Sequence, residues 1–486
     1  MQKEASSFSS NESDYHERSI PELKTWDEYN PKQWPLKLKI RNVIVISTMS
    51  FLNQYGANVF APSIPTISKE FHSSRTVVTL GTTLYSLGVL FGILIFAPLS
   101  EQFGRRPIYL TGYSVFALLQ IPIALSVNLE MFLVFRFFSG CFGSVGMSNG
   151  AGSLADLFEK KDRGKYMIVY FTLLSLGPGV APIISGFITQ STIGWRWEFW
   201  ILLILSGVLL LFSFLLLKET YPPILNRMKL ERTGELGELG ENEVVAKRLS
   251  GTELLKKWLV LLSMKKPLHM LVTQPILICI AFTVGTIYGI LSLVLIAFSQ
   301  AWEVLYNFNV GISGLMYVSI TLGLLCAVFL ALPLNQKFYI KLLQRNGGES
   351  EPEFRLPMGI IGCLLFVTGI LIFGWTANYR VFWFVPLIGS TLLGAGYIMT
   401  NNPLNMYVVD TYGIYSASAS AAVRVLQLTF GAIFPLFAES LYQRLGYGWG
   451  CTLLAFILLF CSISLPLLYF FGPRIRSLDV FDPARY

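Results

Sequence analysis

The sequence predicts an all-α membrane protein of about twelve transmembrane helices, six on either side of a polar linker. Three observations lead there. Hydrophobic residues make up 53% of the chain and charged residues only 14%, where a soluble domain carries about 25% charge. The apolar residues fall in runs of about 18–25, the length at which a helix crosses the hydrocarbon layer. The remaining charge is gathered into the gaps between those runs. The net charge of +8 is therefore a property of loops and does not mark a nucleic-acid-binding surface.

In chain order, a polar tail (1–40) precedes spans at about 41–62, 79–98, 107–126, 131–153, 165–189 and 198–217. A polar stretch, 218–268, separates this first half (41–217) from the second (269–471). The second holds spans at about 271–299, 311–333, 357–376, 381–407, 417–440 and 449–471, and a short tail (472–486) follows. Within 218–268, TGELGELGENEVVAKR has no apolar face and reads as a linker. The later LLKKWLVLLSMKK is apolar on one side and basic on the other; it fits a helix lying on the membrane surface or an ordinary helical linker.

Orientation follows from the cations. Thirty of the 37 Lys and Arg lie in the two tails, the linker and the loops on the same side, including Arg105, Arg106, Lys160, Lys161, Arg163 and Lys165. The opposite loops hold only Lys69, Arg75, Arg196, Arg380 and Arg444. Positive charge stays on the cytoplasmic side, which places both termini and the linker there. The first residues, MQKEASSFSSNESDYHERS, contain no apolar core of a cleavable signal. The six cysteines sit almost all within apolar runs at no metal-ligand spacing, so they read as packing residues.

Between spans two and three stands PLSEQFGRRPIYL, residues 98–110. Gly104 suits a tight turn. Arg105 and Arg106 suit helix ends and carboxylates, and Glu101 can pair with a neighbouring cation. The string Ala97-Pro-Leu-Ser-Glu-Gln-Phe-Gly-Arg-Arg106 resembles the signature of the major facilitator superfamily after its second span, G-x-L-a-D-r-x-G-R-R. Ala97 replaces the glycine and Glu101 the aspartate. Its P-L-S-E-x-x-G-R-R-P form is similar to the fungal drug:proton antiporter branch with twelve spans. WDEYNPKQWP, RFFSGCFGS, LADLFEKKDRGK, LLQRNGGESEPEFRLP and YVVDTYGIYSASASAAVR carry the likeness along nearly the whole chain.

That resemblance implies two pseudo-symmetric six-helix bundles that expose a central site alternately to each side. It also implies that the turn around Arg105 and Arg106 is a re-pairable latch on the cytoplasmic side, with Asp156, Arg163 and Asp410 as further gating residues. Asp156 and Asp410 end spans four and ten at related positions in the two halves. Gly177-Pro-Gly-Val-Ala-Pro-Ile-Ile-Ser-Gly186 in span five fits close packing of a kinked helix. It also resembles the antiporter motif G-P-x-x-G-P-x-x-G-G, departing at Ala181 and Ser185; Gly177, Pro178, Pro182 and Gly186 match. Arg136 in span four either snorkels to the outer surface or, by resemblance to R-x-x-x-G, takes part in proton coupling. Arg424 in span eleven is a second intramembrane cation with an open role. No Asp or Glu falls in mid-span, so the proton acceptor is sought among Glu101, Asp156, Asp410, Glu439 and Glu198 at span ends.

Polar and aromatic residues inside the spans are Asn53, Gln54, Asn58, Tyr85, Gln274, Tyr288, Tyr317, Tyr397, Asn401, Asn402 and Gln427. Each could bond between helices; together they describe an amphipathic cavity at mid-depth. Few carboxylates accompany them, which disfavours polycations and favours neutral, aromatic or weakly basic cargo. The reading is a proton-driven exporter of small organic compounds, drugs or polyamines among them. It would act as a monomer in the plasma membrane, with an internal membrane such as the vacuole's left open. Proton-coupled uptake of a nutrient such as a vitamin is the alternative, and a non-transporting receptor a weaker third. No nucleophile–base pair, metal cluster, phosphate loop or cofactor motif supports an enzyme.

Overall fold

Hydrocarbon offers no partner for backbone N–H and C=O groups, so apolar runs of this length must satisfy them internally as helices. The computed structural model describes residues 29–233, 268–347, 349, 351–412 and 416–478. The first half comprises α1 (Leu36–Asn58), α2 (Arg75–Phe103), α3 (Arg105–Ala124), α4 (Leu129–Leu157), α5 (Lys160–Gln190) and α6 (Arg196–Leu216). The second comprises α7 (Pro275–Tyr306), α8 (Val310–Arg345), α9 (Leu356–Asn378), α10 (Phe384–Tyr412), α11 (Ser416–Ile433) and α12 (Ala438–Ser462). Residues Ser464–Leu478 continue α12. Much of the linker and both outermost tails lie outside the described residues.

Local signals set the helix ends. Ser74, Asn128 and Asn309 each accept from a backbone N–H in the first turn of α2, α4 and α8, satisfying donors that a helix start leaves open. Among the described residues nine helices are long and apolar enough to cross a membrane by length and composition alone. One of them, Ser418–Ile475, is two passes, because Gly446 leaves helical geometry at φ 69° and reverses the chain. With α1 and α10, whose Asn, Gln and Thr residues lower their hydropathy, there are twelve passes among the described residues. Several helices outrun the spans read from sequence: α7 reaches Tyr306 and α8 reaches Arg345. Polar residues continue those helices into the interface, where hydropathy no longer marks them.

Apolar side chains of α1–α6 form one core and those of α7–α12 two more. The outward faces of α6 and α12 leave Leu211, Phe214, Leu215, Phe456, Phe460 and Phe470 exposed, a surface that suits lipid and not water. Small residues let helices cross within each half. A Cβ at Gly88 of α2 would overlap the Phe137 carbonyl of α4, and one at Gly323 of α8 would overlap the Thr391 carbonyl of α10. The same crossing thus recurs in both halves, as a repeat demands.

The two ends of the molecule differ. At the end remote from the linker, Glu70 accepts from the Trp195 indole at 2.7 Å and pairs with Arg196 at 2.6 Å. Burial raises the Glu70 carboxyl's proton affinity, but these two donors outweigh it and hold the group below its ordinary value. Hydrogen bonds between the halves also sit at this far end. Thr83 donates to the Ala432 carbonyl at 2.6 Å, Thr76 to Glu439 at 2.9 Å, and the Gly311 N–H to Gln190 at 2.9 Å. Alongside, α5 lies directly on α8. A Cβ on Gly186 would stand 2.8 Å from the Val310 carbonyl and 3.0 Å from the Gly314 Cα.

That seam has no room for a side chain. The variant Gly186→Val is expected to hold α5 and α8 apart and open the far end. A cysteine placed at Gln190 should then react with an impermeant maleimide faster than in the parent; equal rates would show that the seam tolerates the extra bulk.

Candidate functional site

Arg136 is wholly buried in α4 and does not snorkel. Its Nη1 donates to the Gly56 carbonyl at 2.7 Å, Nη2 to Ala57 at 3.1 Å and Nε to Gly81 at 3.4 Å. Its guanidinium lies 4.4 Å from the Tyr85 ring centroid and 4.6 Å from that of Phe60. Backbone carbonyls and π-faces spread the charge without cancelling it. On α6 the Phe199 ring centroid lies 5.9 Å from the guanidinium, and the adjacent Glu198 is also wholly buried.

Glu198 lies at the start of α6, where sequence marks only a span end. Folding surrounds it. Its Oε1 accepts from Ser63, from Ser185 at 2.7 Å and from Thr189 at 2.9 Å. Its Oε2 is buried with no hydrogen-bond partner among the described residues. Ser185 and Thr189 stand on α5 on either side of Gly186, the residue in the seam with α8. Thus one face of α5 touches the buried carboxylate and another touches the opposite half.

The span-five motif explains how. Gly177 meets Gln54, Tyr55 and Phe51 of α1, Gly179 meets Thr321 of α8, and the Pro182 carbonyl stands 2.7 Å from where a Gly314 Cβ would be. Pro178 and Pro182 lie within an unbroken helix. Gly177 therefore packs inside its own half, while Gly179, Pro182 and Gly186 build the contact between halves.

At the linker end the turn is held by a carboxylate that sequence reasoning missed. Glu219, just past α6, accepts the N–H groups of Arg105, Arg106, Thr220 and Tyr221, each at 2.9 Å. It caps the start of α3, where open donors and the helix dipole favour negative charge. Gly104 carries φ +97°, and a Cβ there would stand 2.6 Å from a Glu219 oxygen. Glu101, expected to meet a neighbouring cation, is exposed and makes no hydrogen bond or ion pair among the described residues. Residue 219 follows a separate span 114 positions away, so no local pattern announces the contact.

Arg105 bonds Asp156 at 3.3 Å and Ser100 at 2.6 Å, while Arg106 reaches the Phe214 carbonyl at 3.1 Å. Arg163 donates to the Ala155 carbonyl at 3.3 Å. In the second half Arg355, before α9, bonds Asp410 at 3.1 Å. Arg105–Asp156 and Arg355–Asp410 are the same pair in each half, joining the start of one helix to the end of another. Neither crosses between the halves.

The polar residues predicted at mid-depth divide into two groups. Asn53 and Tyr85 are buried inside the first half, Tyr85 donating to Asn53 at 2.7 Å beneath Arg136. Tyr317 is buried in the second half, bonded to the Leu295 carbonyl. Gln274 precedes α7 at the linker end, and Asn58 ends α1 toward the far end. The others gather between the halves. Gln54 faces the Tyr288 hydroxyl, Tyr288 and Tyr397 have ring centroids 6.2 Å apart, and Gln427 reaches the Tyr397 hydroxyl at 3.5 Å. Asn401 and Asn402 lie on the same helix as Tyr397, half-buried. Tyr85, Val89 and Ile93 of α2 and Leu428 of α11 form a buried apolar cluster across the two halves, with Tyr288 packed against it.

A two-part helical membrane protein, closely packed at one end and carrying polar groups between its halves, has the architecture of a membrane transporter. Sequence comparison agrees. The Major Facilitator Superfamily model matches residues 46–435, and the chain belongs to that family. It is 72% identical to an uncharacterized transporter of Schizosaccharomyces pombe, over 97% of each chain. It is 36% identical to the efflux pump radE of Floropilus chiversii, over 95% of this chain and 86% of that one. The solved proton:xylose symporter XylE superposes with a TM-score of 0.65 at 15% identity, covering 90% of this chain and 97% of that one. The protein is a membrane transporter and not an enzyme.

The capping role of Glu219 can be measured. Glu219→Ala should cost about 1–2 kcal/mol, the usual loss for a helix cap, and lower the thermal midpoint of the detergent-solubilised protein. Glu101→Ala should leave that midpoint unchanged.

Proposed function

We propose that this transporter exports small organic compounds from the cytoplasm in exchange for protons, acting as a monomer with its linker end and both termini cytoplasmic. The plasma membrane is the site this reading favours. The observation that carries it is Glu198, a carboxylate enclosed in the first half beside Arg136, whose hydroxyl partners lie on the helix that closes the far end. Thirty cations at the linker end support the orientation. The α5 glycine-proline seam and the 36% identity to a fungal efflux pump support export.

Ionised, Glu198 needs hydroxyl donors from Ser63, Ser185 and Thr189 and the field of Arg136. Protonated, it needs neither in full and itself becomes a donor. Because Ser185 and Thr189 flank Gly186, the change is felt where α5 meets α8. Opening that seam brings water to α5 and lets the carboxylate exchange protons with the far side. Closing it buries the group again, as seen here. The proton thereby binds the two arrangements with different strength, which is what coupling requires.

Reconstituted vesicles with a trapped pH dye provide the test. Substrate-driven proton movement should fall by about tenfold or more in Glu198→Gln, since a ligand drives a transition only through its differential affinity for the two states. Gradient-independent exchange and protein abundance should persist. Undiminished proton movement in that variant would remove Glu198 from the mechanism. In cells, expression should lower accumulation of a transported compound; a rise would make the protein an importer.

A further inference from the structure

The linker-end part of α8 takes no part in the proposed proton coupling, and its two sides meet different surroundings. At 36 residues, α8 is about 54 Å long, against a hydrocarbon core of about 30 Å. Its upper part is fixed on two sides. Thr321 is turned to Gly179 of α5 and Gly323 to Thr391 of α10, so Leu322, between them, points away from both. Leu315, Leu322 and Phe329 recur on that outward face and are exposed, which makes it the lipid-facing stripe of the helix.

Between Ala327 and Ala331 the helix widens to π geometry. Pro333 opens the next segment; its ring would strike the Phe329 carbonyl in an ordinary helix, and the wider turn makes the room. The segment that follows, Leu332–Arg345, has two unlike sides. On the inner side Asn335 is buried. Tyr339, one turn on, has its ring centroid 4.0 Å from the Arg355 guanidinium and 6.3 Å from that of Phe354. On the outer side Lys337, Lys341 and Arg345 recur at each turn and are exposed. Leu334, Phe338 and Ile340 beside them are exposed too. None of the three cationic side chains has a hydrogen bond or ion pair among the described residues, and the segment contains no Asp or Glu.

Other cations at this end are answered by the protein: Arg105 by Asp156, Arg163 by the Ala155 carbonyl and Lys165 by Asp162. Lys337 stands about 6 Å past Pro333, where the apolar span ends, and so lies at headgroup depth. An outward apolar stripe that runs into a stripe of free cations matches the two-part chemistry of an anionic phospholipid. We propose that the outer face of Leu332–Arg345 binds anionic phospholipid of the adjoining leaflet. Lys337, Lys341 and Arg345 hold its headgroup, and Leu334, Phe338 and, deeper, Phe329 lie along its acyl chains. A zwitterionic choline headgroup is disfavoured, since no carboxylate on this face meets its cation. The opposite face carries Tyr339 against Arg355, which bonds Asp410, so lipid bound outside steadies the segment that packs on that pair. The inference depends on the chain's place in a membrane, and neither on the direction of transport nor on Glu198.

The test uses the full chain in phosphatidylcholine nanodiscs doped with a photo-crosslinking lipid, its diazirine on the acyl chain, as phosphatidylserine or as phosphatidylcholine. Peptides from 333–345 should carry the serine lipid about fivefold or more over the choline lipid, the factor that one cation near an anionic headgroup supplies. Replacing Lys337, Lys341 and Arg345 together by glutamine should abolish that preference while labelling by the choline lipid persists. Lys165→Gln, at an exposed cation of the same end, should leave it intact. Lys341→Glu alone should remove most of the preference and serves if the triple variant does not fold. Sodium phosphate in place of chloride at equal ionic strength should not displace the serine lipid; displacement would make this a site for the free anion and overturn the assignment to lipid. Equal labelling by the two lipids, or a preference that survives the triple variant, would also overturn it. So would the absence of both lipids from this segment, which would turn the face to water or to a protein partner.

Discussion

A charge placed within hydrocarbon must be answered by the protein, and the arrangement of this transporter follows from how each of its arginines is answered. Arg136 is met by the carbonyls of Gly56, Ala57 and Gly81, which pulls α4 against α1 and α2 and fixes the interior of the first half. Those carbonyls already serve their helices, so the cage is partial, and the faces of Phe60 and Tyr85 complete it. At the linker end, Arg105 and Arg355 are answered by Asp156 and Asp410 within their own halves. Each pair ties two helices of its own half together, and neither restrains one half against the other.

What holds the halves together is of a different kind. The contacts at the far end are short, neutral or weakly charged hydrogen bonds and a seam of glycines. Such contacts depend on close approach, since removing even one carbon's width of clearance breaks them. They are strong enough to seal when aligned and lose little when separated, because water can replace each hydrogen bond. Permanent pairing inside each half and replaceable pairing between halves is the physical condition for a rocking motion. The carboxylate of Glu198 is the place where the two kinds meet, since its hydroxyl partners lie on the helix that forms the seam.

Much of this was legible in the sequence, and the residues that were legible share a property. Arg136, Arg424 and the Gly177–Gly186 motif are chemically conspicuous where they stand, because charge, glycine and proline are costly within a membrane helix. The symmetry of Asp156 and Asp410 was visible from their equal places at the ends of spans four and ten, though the partner Arg355 was not. Glu198 looked peripheral because hydropathy counts distance along one helix. Its burial is produced by Ser63, Ser185 and Thr189 arriving from two other segments. Tyr317 was grouped with the central residues on depth alone, yet it turns into its own half, since a helix position fixes depth but not azimuth.

Length and hydropathy were enough to mark the crossings, and the placement of cations gave an expected direction of insertion, because these depend only on the transfer of each segment between water and lipid. The tertiary structure alone decided which end is shut, that Glu219 rather than Glu101 caps the turn at Gly104, and which hydroxyls enclose Glu198. Those depend on contacts between residues far apart in the chain, whose energies come from packing and pairing. No local transfer energy encodes them.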